Sequence, residues 1–267
     1  MDRLDAAAIA VPGVEVRVLE QCTSTNSLLL DDASRAPVLL AAESQTAGRG
    51  RRGRRWYGTP GHAIAFSLAR AVRRPARELA ALSLVAGVAA ARALRAMGAP
   101  VRLKWPNDLL CGAGKLGGIL VETRSILGEP RGVSRAVVGI GINHRVDPAL
   151  PSRVRRPLAS LAESLAPLPS RNEVIRSIAT SLLSALDAFE AEGFDALRGE
   201  WLALDAYAGL RLRVRLADGR SLTGIAAGLA EDGGLRLQTR TGVRAVRSGT
   251  VRLAHAIERH AQDTRAA

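Results

Sequence analysis

Val101-Arg102-Leu103-Lys104-Trp105-Pro106-Asn107-Asp108-Leu109-Leu110-Cys111-Gly112-Ala113-Gly114-Lys115-Leu116-Gly117-Gly118-Ile119-Leu120-Val121-Glu122 sets apolar runs on either side of a glycine turn. Val101 to Trp105 reads as a strand that Pro106 breaks, because proline cannot donate to a ladder. Asn107 to Cys111 leads into Gly112-Ala113-Gly114, and Lys115 to Thr123 resumes as a strand, so a hairpin is predicted. Gly128 to Gly132 is a further turn and Ala136 to Ile142 a further strand. Successive hairpins imply a mixed, largely antiparallel sheet with helices laid on it, an α+β fold.

Working outward, Val14 to Leu19 and Val38 to Ala42 read as strands, and His62 to Ala69 as another. Ser24-Thr25-Asn26 precedes Ser27-Leu28-Leu29-Leu30, the pattern of a helix N-terminus. Pro75 to Met97 is the longest helical pattern, ended by Gly98, and Asn172 to Glu192 is amphipathic, capped near Ser170 and ended by Gly193. Leu158 to Leu165 and Phe194 to Leu204 read as shorter helices. Beyond Gly209 the pattern changes to short strands, Leu210 to Leu216, Ser221 to Leu229, Leu235 to Thr239 and Val251 to Ala254, joined by Asp-Gly turns. These predict a small barrel, hence a larger domain over 1–208 and a barrel with a polar, frayed tail over 209–267.

Gly48-Arg49-Gly50-Arg51-Arg52-Gly53-Arg54-Arg55-Trp56 packs five arginines and three glycines into nine residues. It has no apolar face for a core helix or strand. Glycine lets the backbone approach a ligand, and arginine offers forked donors to phosphate or carboxylate, so it reads as a mobile anion-binding loop. The net charge of +13 fits nucleic acid or an acidic ligand, but aromatics are only 3% of the chain, few for a protein that stacks on bases. Cys22 and Cys111 form neither a metal spacing nor a disulfide framework. With no signal peptide pattern at the N-terminus and no uncharged apolar run of bilayer length, a cytoplasmic, membrane-free protein is expected.

Three further stretches present chemistry. Asn107 and Asp108 offer an amide and a carboxylate after the Pro106 bend, though a plain turn explains them equally. Lys115 opens an apolar run beside Gly117-Gly118, where it could neutralise a carboxylate substrate or simply guard a sheet edge. Gly139-Ile140-Gly141-Ile142-Asn143 ends a strand on a polar amide.

Together, Ser24-Thr25-Asn26, Gln45 through Trp56, Lys104 through Asp108, Lys115 through Glu122 and Gly139 through Asn143 resemble the biotin protein ligases in order and spacing, from about Val14 to Leu253. The resemblance implies a catalytic domain like that of class II aminoacyl-tRNA synthetases with a C-terminal SH3-like barrel. It implies that biotin is activated by ATP as biotinyl-5′-AMP, with Mg²⁺, and transferred to a lysine of a biotin carboxyl carrier protein. Carried over by position, Ser24, Thr25, Asn26, Gln45, Arg49, Gly50, Arg51 and Lys115 would bind biotin, Arg51 and Lys115 being catalytic. Arg54, Trp56, Asn107, Asp108 and Asn143 would lie on the nucleotide or metal side; no metal ligands follow from the sequence. Few residues precede the first strand, so the resemblance is to monofunctional members without a DNA-binding domain, and a homodimer is compatible with it. Ala65 stands where some members carry an aromatic residue. Two other readings are an attachment enzyme for lipoate or octanoate and an RNA-binding protein that uses the arginine loop.

Overall fold

The computed structural model describes residues 2–126, 128–130, 132–147 and 157–254. The chain divides into two compact units, Met1–Ala206 and Tyr207–Ala267.

The first unit opens with one helical turn, α1 (Ala6–Ile9), capped by the Asp5 side chain. Strand β1 (Glu15–Cys22) leads to α2 (Thr25–Asp31), whose N-cap is Ser24 as the sequence indicates. Then come β2 (Val38–Gln45), β3 (Ala63–Arg73), α3 (Leu82–Ala96), β4 (Val101–Lys104), β5 (Asp108–Cys111), β6 (Gly114–Ser125) and β7 (Val133–Asn143). The unit closes with α4 (Arg171–Glu192) and α5 (Asp195–Leu204). The seven strands form one sheet in the order β1-β2-β3-β7-β6-β5-β4. The β1–β2 pair is parallel and every other pair antiparallel, because α2 carries the chain back across the sheet between them.

Strand alternation gives the sheet two different faces. On one, Ile64, Phe66 and Leu68 of β3 and Val138, Ile140 and Ile142 of β7 are buried; α3 and α4 pack against the sheet and each other. On the other lie Ala65, Ser67 and Ala69 of β3, Gly139 and Gly141 of β7 and Gly118, Leu120 and Glu122 of β6, in register. α2 covers one end of this second face, with Leu29 against Val38, Leu40, Ala69 and Val137. The small residues at the other end let the side chains of Asn26 and Trp56 lie close against the sheet.

α3 is buried almost all round, as a central core helix should be. Together with the 3-10 turn Leu79–Ala81 before it, this segment is long and apolar enough to cross a bilayer by length and composition, but it carries Arg92 and Arg95 and most of it is buried inside the unit. The pattern that starts at Pro75 also overstated the helix: Pro75 to Glu78 stays outside it, and α3 itself begins only at Leu82. The helix expected over Leu158 to Leu165 is a single 3-10 turn, Leu161–Glu163, because the Ser160–Glu163 capping box is followed at once by Pro167 and Pro169. α4 follows its prediction closely, with a Ser170–Glu173 capping box, an apolar stripe from Val174 to Phe189, and Gly193 at φ 77° to end it. Trp105 and Trp201 are buried in this unit.

The second unit is a five-stranded antiparallel sheet consistent with an SH3-like barrel. Its strands are β8 (Arg211–Arg215), β9 (Ser221–Leu229), β10 (Leu235–Thr239), β11 (Gly242–Val246) and β12 (Thr250–Leu253), in the order β11-β10-β9-β8-β12. Leu212, Val214, Leu235, Leu237 and Val251 form its interior. Arg213 and Arg252 stand directly opposite each other on the exposed face. β11 escaped the sequence reading because its burial does not alternate. The tail expected to fray after His255 lies outside the described residues.

Candidate active site

The N-terminus of α2 and the floor of the sheet build a polar pocket. Ser24, Thr25 and Asn26 are buried, and so is Ser67 on β3. The Thr25 amide donates to Gln45 Oε1 at 2.9 Å, with the Thr25 hydroxyl 3.3 Å from the same oxygen. Thr25 Oγ1 and Ser67 Oγ are 2.7 Å apart, and Ser67 donates to Asn26 Oδ1 at 2.7 Å. Asn26 Nδ2 donates to Leu120 O at 3.1 Å and to Glu122 Oε2 at 3.0 Å. Gly139 must be glycine here: a Cβ on it would lie 2.9 Å from Asn26 Cγ.

The arginine loop folds into a tight arch. Gly50 N donates to Arg54 O at 2.7 Å, Trp56 N to Gly48 O at 2.9 Å, and Arg51–Gly53 make a 3-10 turn with Arg52 at φ 59°. Arg49 reaches the pocket, its Nη1 2.9 Å from Ser27 Oγ and its Nη2 2.6 Å from Glu122 Oε1. Arg55 donates to Thr46 O and stacks over Tyr57, 5.7 Å from the ring centroid. The arch, Leu120 and Glu122 bound an open cleft of about 610 Å³. Trp56 lies against the glycine-paved part of β6 and β7, where a Cβ on Gly141 would stand 2.5 Å from Cζ2. Its indole Nε1 is buried with no hydrogen-bond partner among the described residues. Burial, with Arg52 and Arg54 close by, pulls the Arg51 guanidinium below its ordinary value, against the opposing pull of Asp108.

At the other end of the same face, Asp108 sits between two lysines. Lys115 Nζ donates to Asp108 Oδ1, and Lys104 Nζ is 3.5 Å from Oδ2. Asn107 and Asn143 serve the backbone: Asn107 Nδ2 donates to Ile119 O at 2.7 Å, and Asn143 Nδ2 bridges Lys115 O and Ala159 O at 3.1 and 2.9 Å. Asn143 also lines a second cavity of about 270 Å³, with Tyr57, Thr59, His62, Arg145 and Ser160.

One face of the sheet therefore carries two clusters and an arch. Ser24, Thr25, Asn26, Gln45 and Arg49 form the pocket. Asp108, Lys115, Asn107 and Asn143 form the charged end, and Gly50, Arg51, Arg54 and Trp56 belong to the arch. Sequence reasoning omitted Ser67 and Glu122 from the site. Ser67 left a signal, a hydroxyl in an otherwise apolar strand, and Glu122 closes an apolar run. Among the described residues, no group of three or more His, Cys, Asp or Glu is placed to hold a metal ion.

Comparison with known proteins identifies the family of the chain. Residues 18–143 match the biotin/lipoate A/B protein ligase family, and residues 211–253 match the biotin protein ligase C terminal domain. The chain is 34% identical over 229 residues to the bifunctional ligase/repressor BirA of Escherichia coli, covering 85% of this chain and 70% of that protein. It is 36% identical over 235 residues to the biotin--[acetyl-CoA-carboxylase] ligase of Mycobacterium tuberculosis, covering 84% and 83%. Among solved structures, the biotin protein ligase from Aquifex aeolicus in complex with biotin and ATP superposes with a TM-score of 0.76 at 28% identity, covering 90% of this chain and 99% of that one. The chain belongs to the biotin protein ligases, within the biotin/lipoate A/B protein ligase family.

Proposed function

We propose that the chain joins biotin to ATP as biotinyl-5′-AMP and transfers the biotinyl group to a specific lysine of a biotin carboxyl carrier domain, that of acetyl-CoA carboxylase being the expected one. The observation that carries this reading is the polar Thr25–Asn26–Ser67 pocket and the Lys115–Asp108 pair on one sheet face, with the arginine arch beside them. Mg²⁺ enters with ATP as part of that substrate.

The chemistry follows from charge. A biotin carboxylate oxygen attacks the α-phosphorus; an O–P bond forms, the Pα–O–Pβ bond breaks and pyrophosphate leaves. Two anions must meet, and in this reading Lys115 and Arg51 offset their charge. Asp108 holds the Lys115 ammonium in place until substrate arrives. Ser24, Thr25, Asn26, Gln45, Arg49 and Gly50 hold biotin; Arg54, Trp56, Asn107, Asp108 and Asn143 serve the nucleotide, with the unpartnered Trp56 Nε1 a donor for it. The carrier lysine, as a neutral amine, then attacks the acyl carbon. An amide forms, AMP departs, and the surplus amine proton goes to solvent. Closure of the arch keeps water from the mixed anhydride.

The reading places the reaction in the cytoplasm and allows a homodimer. Its test is to mix protein, biotin, ATP, Mg²⁺ and an apo carrier domain. A single biotinyl mass increase on one carrier lysine is expected; no increase, or preference for lipoate or octanoate in competition, would overturn it.

A further inference from the structure

Glu122 divides its two carboxylate oxygens between two parts of the site. Oε1 accepts from Arg49 of the arch at 2.6 Å, and Oε2 accepts from the Asn26 amide in the pocket at 3.0 Å. A carboxylate can only accept, so it fixes which way the Asn26 amide points. With Nδ2 committed to Glu122 and Leu120 O, Asn26 Oδ1 must face Ser67, which spends its one proton there. The Thr25 hydroxyl is then the donor in its contact with Ser67. Gln45 is oriented separately, by the Thr25 backbone N–H, which donates to its Oε1 and so turns Nε2 toward Gly48 and the arch. Glu122, together with the Leu120 carbonyl, thus sets the direction of a chain of hydrogen bonds that runs from Asn26 through Ser67 to Thr25, and its other oxygen joins that chain to Arg49.

We propose that Glu122 is a positioning residue that ties the arch, through Arg49, to the donor pattern of the ligand pocket, through Asn26. It acts through these two residues and not by touching ligand. This assignment rests on the ligase reading above. It makes the arch and pocket one unit, so that a closed arch and a correctly oriented pocket stabilise each other.

The test is a double-mutant cycle with Arg49→Ala, Glu122→Gln and both together, read by biotin-dependent ATP–pyrophosphate exchange and by the rate at which biotinyl-AMP leaves the enzyme. Glu122→Gln is expected to raise the KM for biotin about tenfold and speed adenylate release, with the KM for ATP within about twofold, and the double variant should be little worse than the worse single one. A purely structural role would instead lower Tm and disturb both substrates alike, and that result overturns the proposal. Losses that multiply in the double variant, or an unchanged KM for biotin, also overturn it. Should Glu122→Gln not fold, Glu122→Asp keeps the charge on a shorter arm and runs the same cycle to the same criteria. A parent protein without biotin-dependent exchange would overturn the ligase reading itself; an active parent with independent losses overturns only the role of Glu122.

Discussion

Gly141 and Trp56 are packed so closely that a methyl group on Gly141 would sit 2.8 Å from the indole Nε1. Neither strand backbone nor ring can yield without unseating the arch. Gly141→Ala is therefore expected to lower kcat/KM for ATP in pyrophosphate exchange by at least about tenfold, with Tm moving only a few degrees. An alanine variant with parental exchange kinetics would show that the indole does not need this seat.

Lys115 and Asp108 form an ion pair beside Lys104. Lys115→Ala should cut the first half-reaction by about 10²–10³-fold, the scale of losing one charge-stabilising donor. Transfer from pre-made biotinyl-AMP to the carrier should fall much less. Single-turnover assays started from biotin and from adenylate separate the two steps.

His144 gives the fold a pH dependence. Its Nε2 donates to Pro169 O at 2.7 Å, while Nδ1 is buried without a partner among the described residues. Burial lowers its pKa, against the opposing effects of the Pro169 bond and Asp2. The unfolded chain, with a pKa of about 6.5, then binds more protons than the native state as pH falls. The stabilisation from a neutral His144 is complete above that value and is lost as pH falls through the lower, folded pKa. Tm measured from pH 8 to 5 should decline less steeply over this window in His144→Gln than in the parent.

Arg171 ties three segments together. Only 1% exposed, its guanidinium meets Glu43 at 2.6 Å and Asp2 at 3.0 Å. Burial works to raise the pKa of both carboxyls, but the hydrogen bonds and charge of Arg171, joined at Glu43 by the Leu4 amide, together outweigh it and hold them below their usual values. Arg171→Ala leaves these acids without their cation and should cost about 3–5 kcal/mol, read as a Tm drop on the order of 10 °C.

In the second unit, Arg213 and Arg252 face each other across β8 and β12. Like charges at directly opposed positions weaken a pair, so Arg252→Thr should stabilise this unit by about 0.2–1 kcal/mol. The gain, followed by denaturant unfolding, should shrink as salt is added.

Much of this was legible in the sequence because the local signals were strong. The Ser24 cap, the Ser170 cap and the Gly193 stop each have a local cause, and the chain obeys them, whereas the hairpin expected between Val101–Trp105 and Lys115–Thr123 gains a strand of its own, Asp108–Cys111, between the two. What stayed hidden depends on distant partners. Ser67 and Glu122 lie on different strands, and only the β3–β7–β6 register brings them to Asn26. The parallel β1–β2 pair is likewise a consequence of where α2 packs, and Leu158 to Leu165 looked helical until the prolines beyond it are weighed against its short cap. Trp56 shows the same limit: the sequence marks it as the end of the arginine run, but its seat consists of glycines on two other strands.

That seat also makes the protein its own optical instrument. Of the three tryptophans, Trp105 and Trp201 are locked in the core, and only the half-buried Trp56 belongs to the arch. Any change in ultraviolet emission on adding substrates will come chiefly from that one indole, so a stopped-flow trace of unlabelled protein can time the opening and closing of the arch directly.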